Sequence, residues 1–251
     1  ELISLLKEVN RRGWLESITV GDPGVGDTLE HALGIARNNL KTPDFKGIEL
    51  KTTRVTKEGV ERGKTRSTLF SKTPDGGMNY HEILEAYGKM QIPRGCSSPR
   101  FQLCETVSSK RVNAYDLFLK CDHSREKVLL LHSSSKNFPN PFAEFVSSWE
   151  YQTLKQSFST KHRETMWIGA ESRIINGKEY FHYTLAEYTG KPNTTALIDF
   201  IDCGIITVDL LAYITSEGRH RDHGMLWKIA PKNRSLLFGT MEKVDLETKI
   251  R

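Results

Sequence analysis

Leu2, Ile3, Leu5, Leu6 and Val9 recur at helical spacing, and Arg11-Arg12-Gly13 ends the helix they predict. A glycine-rich turn over residues 21–26 leads into a second helix, with Asp27 as its expected N-cap. Leu29, Ala32, Leu33, Ala36 and Leu40 share one face of that helix. Pro43-Asp44-Phe45 opens a short strand region ending in Ile48-Glu49-Leu50-Lys51, Ser67–Ser71 reads as another strand, and residues 81–87 read as a short helix. Residues 112–120 and 127–132 alternate as a hairpin pair would. Asn137-Phe138-Pro139-Asn140-Pro141 is turn-rich and is the expected hinge, followed by a helix over 147–158. Asn176-Gly177, between Arg173-Ile174-Ile175 and Tyr180-Phe181-His182-Tyr183, signals a tight hairpin. Residues 194–202 read as a helix, 205–214 as a buried strand, 216–224 as a polar loop and 225–229 as a returning strand. The pattern is mixed α/β, without an internal repeat or a low-complexity tract.

Composition narrows this picture. A chain of 251 residues, 37% hydrophobic, can bury a substantial core. No apolar run approaches the roughly 18 residues of a membrane span; the nearest, 196–214, is broken by Asp199, Asp202 and Asp209. A membrane protein is therefore not expected. The first residues lack the basic, apolar, small-residue order of a secretory signal, and Cys96, Cys104, Cys121 and Cys203 show no CxxC spacing. Reduced thiols in a cytoplasm are the expectation. Cys121 and His123, taken with His220 and His223, do not have zinc-ligand spacing. Lys and Arg outnumber Asp and Glu by 36 to 31, which alone indicates only a mildly basic surface. Their clustering adds more: Arg54, Lys57, Arg62, Lys64 and Arg66 lie close together, and Arg219, Arg221 and Lys228 surround His220 and His223. Such groups suit a phosphate backbone.

Three segments carry candidate chemistry. Residues 21–28 approach a phosphate-binding loop, but Asp27 stands where the lysine belongs and no strand precedes the turn, so the glycines read as a turn only. In an extended Glu49-Leu50-Lys51, Glu49 and Lys51 share a face while Ile48 and Leu50 point to the core. Asp44, in the turn before the strand, can fold back towards Glu49. Two carboxylates and an ammonium at one spot suit a hard divalent cation and an activated water, although the exposed face of an amphipathic strand has the same pattern. Arg219-His220-Arg221-Asp222-His223-Gly224 is rich in donors with one carboxylate, which suits guanine N7/O6 and cytosine N4, or else a solvated loop. His31 and His81 have no partners arranged for covalent catalysis, and Trp14, Trp149, Trp167 and Trp227 read as core or groove-wall residues.

Taken in order, these blocks resemble a known group. Gly24-x-Gly26-x-x-x-Glu30 leads a helix, followed by Pro43-Asp44-Phe45, Ile48-Glu49-Leu50-Lys51-Thr52 and Thr68-Leu69-Phe70-Ser71-Lys72-Thr73-Pro74. Ala170-Glu171-Ser172 before a hairpin and Asp222-His223-Gly224 complete the set. The succession resembles the MutH and MvaI/BcnI group of PD-(D/E)XK endonucleases, most closely on the MvaI side; residues 88–165 do not align. The resemblance implies a PD-(D/E)XK core, a mixed β-sheet flanked by helices, with two lobes around a DNA-binding cleft: 1–140 catalytic and 141–251 for recognition. It makes Asp44, Glu49 and Lys51 catalytic, with Asp44 and Glu49 holding Mg²⁺, and Glu30 the residue completing the acidic cluster. It assigns DNA contacts to Ser71, Arg219, Arg221, Asp222, His223 and Lys228. Arg221 stands where relatives often have histidine, and Lys228 where they have arginine. The implied activity is that of a type II restriction endonuclease. Such an enzyme, a prokaryotic cytoplasmic monomer, would nick each strand of a short CC/GG-containing duplex site in turn. Its functional partner would be a cognate methyltransferase in the same host. A MutH-like strand-nicking repair enzyme and a catalytically silent DNA-binding module are the alternatives.

Overall fold

The computed structural model describes residues 1–35, 42–61, 66–93, 96–133 and 142–246. In chain order its elements are α1 (Leu2–Arg11), β1 (Leu15–Glu16), α2 (Gly24–Ala32), β2 (Ile48–Val55), β3 (Ser67–Ser71), β4 (Gly76–Gly77) and α3 (Tyr80–Tyr87). Then follow β5 (Lys89–Gln91), β6 (Arg100–Val107), β7 (Leu117–Asp122), β8 (Lys127–His132), β9 (Glu144–Glu150) and α4 (Tyr151–Lys161). The chain closes with β10 (Glu164–Ile175), β11 (Lys178–Thr189), α5 (Leu197–Asp202), β12 (Ile206–Ile214), β13 (His220–Ile229), α6 (Arg234–Phe238) and β14 (Glu242–Val244). The expected mixed α/β class, sheets flanked by helices, is the observed one.

The chain forms two units. The first comprises Glu1–Thr65, Ser159–Asn193 and Arg234–Arg251, and the second Arg66–Phe158 and Thr194–Asn233. This differs from an expected division near residue 140, for a topological reason. Strand β2 pairs in parallel with β10, Glu49 opposite Thr165 and Lys51 opposite Trp167, and a parallel neighbour requires a long crossover. Most of the second unit is inserted in that crossover, so neither unit is continuous in sequence. The segment expected to be a hinge, Asn137 to Pro141, lies outside the described residues.

In the first unit the sheet runs β1-β11-β10-β2, with β14 also pairing β11. Asn176 and Gly177, at φ 49° and 76°, make the β10/β11 turn, the left-handed pair that matches strand twist. Leu2, Leu6 and Val9 of α1 and Val25 and Leu29 of α2 are buried with Leu50, Met166, Ile168, Phe181 and Tyr183 of the sheet. Truncating a fully buried leucine such as Leu29 to alanine costs about 2–5 kcal/mol in cores of this kind.

Helix α2 begins at Gly24, so Asp27 lies in its first turn instead of at the N-cap, where its Oδ2 accepts a 2.7 Å hydrogen bond from Thr19 Oγ1. The helix is shorter than its apolar period predicts: it stops at Ala32, and Gly34 turns left-handed at φ 73°. Ala36 and Leu40 lie outside the described residues.

The second unit holds a five-stranded sheet, β3-β13-β12-β6-β5, and a four-stranded sheet, β4-β9-β8-β7. Trp149 of β9 and Trp227 of β13 are fully buried and meet edge to face at 5.3 Å, and Phe70 stacks on Trp227 at 6.0 Å. They are core residues, as their sequence context suggests. Two segments differ from expectation. Residues 144–150 form a strand and the helix starts only at Tyr151, because hydrogen bonding to β8 decides a run whose apolar residues fit either period. Residues 220–224, expected in a loop, continue β13, and the first three pair with β12, Asp222 opposite Ala212, Arg221 opposite Tyr213 and His220 opposite Ile214.

Close backbone approach explains one glycine of the turn before α2. A Cβ on Gly24 would stand 2.5 Å from both Ser17 Oγ and the Thr19 carbonyl oxygen. Gly24→Ala should therefore destabilise the protein by about 1–3 kcal/mol, the usual cost of overpacking. A lowered urea midpoint at unchanged slope is the expected readout; an unchanged midpoint would show that the turn yields freely.

Candidate active site

The site in the first unit is assembled by a turn of four residues. Phe45 and Ile48 exchange backbone hydrogen bonds of 2.9 and 2.8 Å across Lys46 and Gly47, whose φ values are 47° and 92°. Two left-handed residues in succession reverse the chain tightly, which glycine permits at no steric cost. The reversal lays Asp44 alongside β2, where its Oδ2 accepts a 2.9 Å hydrogen bond from the Leu50 N–H. Period two then points Glu49 and Lys51 to the face opposite Leu50. Thus Asp44, Glu49 and Lys51 meet in the structure as the sequence spacing leads one to expect.

The electrostatics are tighter than an exposed strand face. Glu49 is 1% exposed, with Lys51 Nζ 2.6 Å from its Oε1. On the other side Lys161, the last residue of α4, brings its Nζ to 2.8 Å from Glu49 Oε2 and 3.5 Å from Asp44 Oδ1. Glu49 Oε2 is fully buried and has no aligned hydrogen-bond donor, so that contact is one of charge. Burial pushes the Glu49 carboxyl above its usual range, with Asp44 adding to the effect, while Lys51 and Lys161 pull the other way. Glu30 of α2 is raised by burial and then by the charges of Asp44, Asp27 and Glu49. For Lys161, burial acts downward but the carboxylates of Glu49 and Asp44 outweigh it, and the ammonium is held above its ordinary value. Lys161 was not among the residues singled out from sequence.

The donor set fits a hard divalent cation. Among the described residues no three His, Cys, Asp or Glu side chains are grouped to hold an ion. Two carboxylates, one of them buried and facing ammonium groups on both oxygens, nonetheless match Mg²⁺, which is commonly held by one or two carboxylates plus substrate phosphate and water.

The second unit positions the candidate DNA-reading residues. A bulge between Leu210 and Ala212 interrupts the β12/β13 ladder just before Asp222, and the Leu211 N–H donates to the hydroxyl of buried Tyr80. Bulges of this kind re-aim neighbouring side chains. Tyr80 begins α3, which Asn79 and Glu82 cap reciprocally. The next residue, His81, then stands 3.8 Å from Asp222 Oδ2, with its ring 4.5 Å from that of His220. Asp222 Oδ1 accepts from the Gly224 N–H at 3.1 Å, and Gly224 packs against Ser71 so closely that a Cβ would stand 2.5 Å from the serine oxygen. Arg221 and His223 are exposed on the same strand, and Arg219, also exposed, pairs with Glu217 at 3.3 Å. Lys228 is placed apart: its Nζ lies 3.0 Å from buried Asp209, which also holds Arg66 at 2.8 Å. From sequence His81 is weighed only for covalent catalysis; its place beside Asp222 depends on pairing across the fold, although the capping box that positions it is legible locally.

Both carboxyl shifts at the acidic cluster are upward. On acidification Glu49 and Glu30 therefore take up protons before an exposed carboxyl does, and the cluster loses negative charge. The same sign makes the two ionised groups oppose folding once pH rises through their titration range. Their ¹³C carboxyl resonances, assigned through Glu→Gln variants, should titrate above the ordinary value of about 4.3. Titration at or below that value would mean that the ammonium groups outweigh burial.

The sequence profile of the MvaI/BcnI restriction endonuclease family matches residues 3–238. Among solved structures, the chain is similar to the complex of restriction endonuclease MvaI with its cognate DNA substrate. The TM-score is 0.82 at 25% identity, covering 97% of this chain and 96% of that one. It is also similar to restriction endonuclease MvaI in the absence of DNA, at a TM-score of 0.54, 24% identity and the same coverage. No curated protein sequence matches it. With a profile spanning nearly the whole chain, including the strand that carries Glu49 and Lys51, the protein belongs to the MvaI/BcnI restriction endonuclease family and is a DNA endonuclease.

Proposed function

We propose that the protein is a Mg²⁺-dependent type II restriction endonuclease whose first unit cuts and whose second unit reads. The observation that carries this reading is the convergence of Asp44, Glu49 and Lys51 at the start of β2. Asp44 and Glu49 would hold the cation, which when bound supplies Lewis-acid stabilisation of charge on the phosphate oxygens. Lys51 orients the attacking water and offsets charge that develops in the transition state. Water adds to phosphorus in line as the bond to the 3′ oxygen breaks, leaving a 5′-phosphate and a 3′-hydroxyl. Glu30 adds negative charge to the cluster without an ammonium partner of its own among the contacts described.

For reading, Asp222 is suited to accept from cytosine N4, and Arg221 and His223 to donate to guanine, which matches a short site built of CC and GG pairs. Arg219 and Ser71 flank that row, and Lys228 supports it through Asp209. One acidic–lysine set and one reading strand per chain favour a monomer that nicks the two strands in separate encounters. A methyltransferase of the same host would be the functional partner that protects the site.

Asp44→Ala, Glu49→Ala and Lys51→Ala should each abolish cleavage of plasmid DNA while the far-ultraviolet circular dichroism stays unchanged. Near-normal cleavage by Lys51→Ala would sink the assignment. The wild-type enzyme at limiting concentration should pass supercoiled plasmid through nicked circles to linear product. Circles that are never linearised would point to strand-nicking repair, and linear product without an intermediate would contradict the monomer.

Asp222→Ala should lose roughly 1–3 kcal/mol of discrimination for each base contact removed. Competition between cognate and single-mismatch duplexes in Ca²⁺ measures this directly. Unchanged discrimination would remove Asp222 from the reading surface.

A further inference from the structure

Lys161 holds a position that the cleavage scheme does not use. Its ammonium is surrounded by three oxygens: Glu49 Oε2 at 2.8 Å, Asp44 Oδ1 at 3.5 Å and the Thr42 carbonyl at 3.3 Å. Its side chain is only 20% exposed, against 1% for Glu49. Two carboxylates and a carbonyl around one positive charge form an oxygen set that a hard divalent cation would also accept. Lys51 meanwhile takes the other oxygen of Glu49, so the Asp44–Glu49 pair carries two ammonium groups against two negative charges.

Holding a second, part-exposed carboxylate against buried Glu49 without compensation is costly, and Lys161 provides the compensation. A divalent cation held by Asp44 and Glu49 would need the oxygens that Lys161 faces, and two cations could not share them at contact distance without strong repulsion. The long lysine stem lets the ammonium leave without moving the backbone.

We propose that Lys161 is a built-in counter-cation of the acidic pair: it keeps Asp44 and Glu49 together in the metal-free protein and is displaced when a divalent cation binds. This inference rests on the reading that Asp44 and Glu49 hold the metal. Lys161 is on this account a positioning residue, and it lowers metal affinity as the cost of keeping the pair assembled.

Mn²⁺ binding to the full chain without DNA, followed by electron paramagnetic resonance of the free ion, tests both ideas separately. Lys161→Met should bind Mn²⁺ more tightly than wild type, on the order of tenfold, the scale of removing one competing charge from a partly screened site. Asp44→Asn should abolish binding in either background. Unchanged or weaker binding by Lys161→Met, with Asp44→Asn still abolishing it, overturns the inference and leaves the metal reading intact. Absence of Mn²⁺ binding in both wild type and Lys161→Met overturns both. A second measurement needs no variant: reductive methylation of the wild-type protein, read by peptide mass spectrometry, should label Lys161 slowly without Mn²⁺ and faster with it. Labelling that Mn²⁺ leaves unchanged or slows overturns the inference even if Lys161→Met fails to fold.

Discussion

The parallel ladder between β2 and β10 is the constraint on which the rest depends. It fixes Glu49 opposite Thr165 and Lys51 opposite Trp167. It also brings the end of α4 to the acidic pair, since Lys161 lies three residues before β10 begins. Because a parallel partner cannot follow through a tight turn, the long crossover accommodates most of the second unit. The Asp44–Glu49–Lys51 set and the proposed reading strand are thereby carried on separate compact units without dividing the chain into two successive halves.

Within the first unit the acidic cluster sets burial against charge pairing. Glu49 is nearly inaccessible, and its burial raises the carboxyl more strongly than its two ammonium partners lower it. A carboxylate held this way favours a neutralising cation, which is useful to a nuclease and expensive for a fold. The Leu50 N–H on Asp44 and the left-handed turn at Lys46-Gly47 hold the geometry through backbone. In the second unit the same division of labour recurs. Backbone at the β12 bulge and the Asn79 cap position Tyr80 and His81, which leaves Asp222 oriented but still 43% exposed on its side chain.

Legibility followed sequence distance. Asp44, Glu49 and Lys51 lie within eight residues, and their convergence needs only one tight turn and the period of a strand. The hairpin at Asn176-Gly177 was readable for the same reason, since its turn dihedrals are encoded by the two residues themselves. Lys161 gave no signal, because nothing local marks it; only the pairing of β2 with β10 brings it to Glu49. The helix expected over 147–158 begins only at Tyr151, because the apolar spacing of its first residues fits both periods and the ladder to β8 is a tertiary choice. Lys228 looked like a free donor beside the histidines, but the buried charge of Asp209, on the neighbouring strand, takes its ammonium.

The central claim is that Asp44 and Glu49 form a divalent-cation site in the first unit. Anomalous diffraction from crystals of the protein soaked in Mn²⁺ tests it most directly. The account predicts an anomalous peak bridging the carboxylates of Asp44 and Glu49. A peak elsewhere, or none there at saturating Mn²⁺, would contradict it.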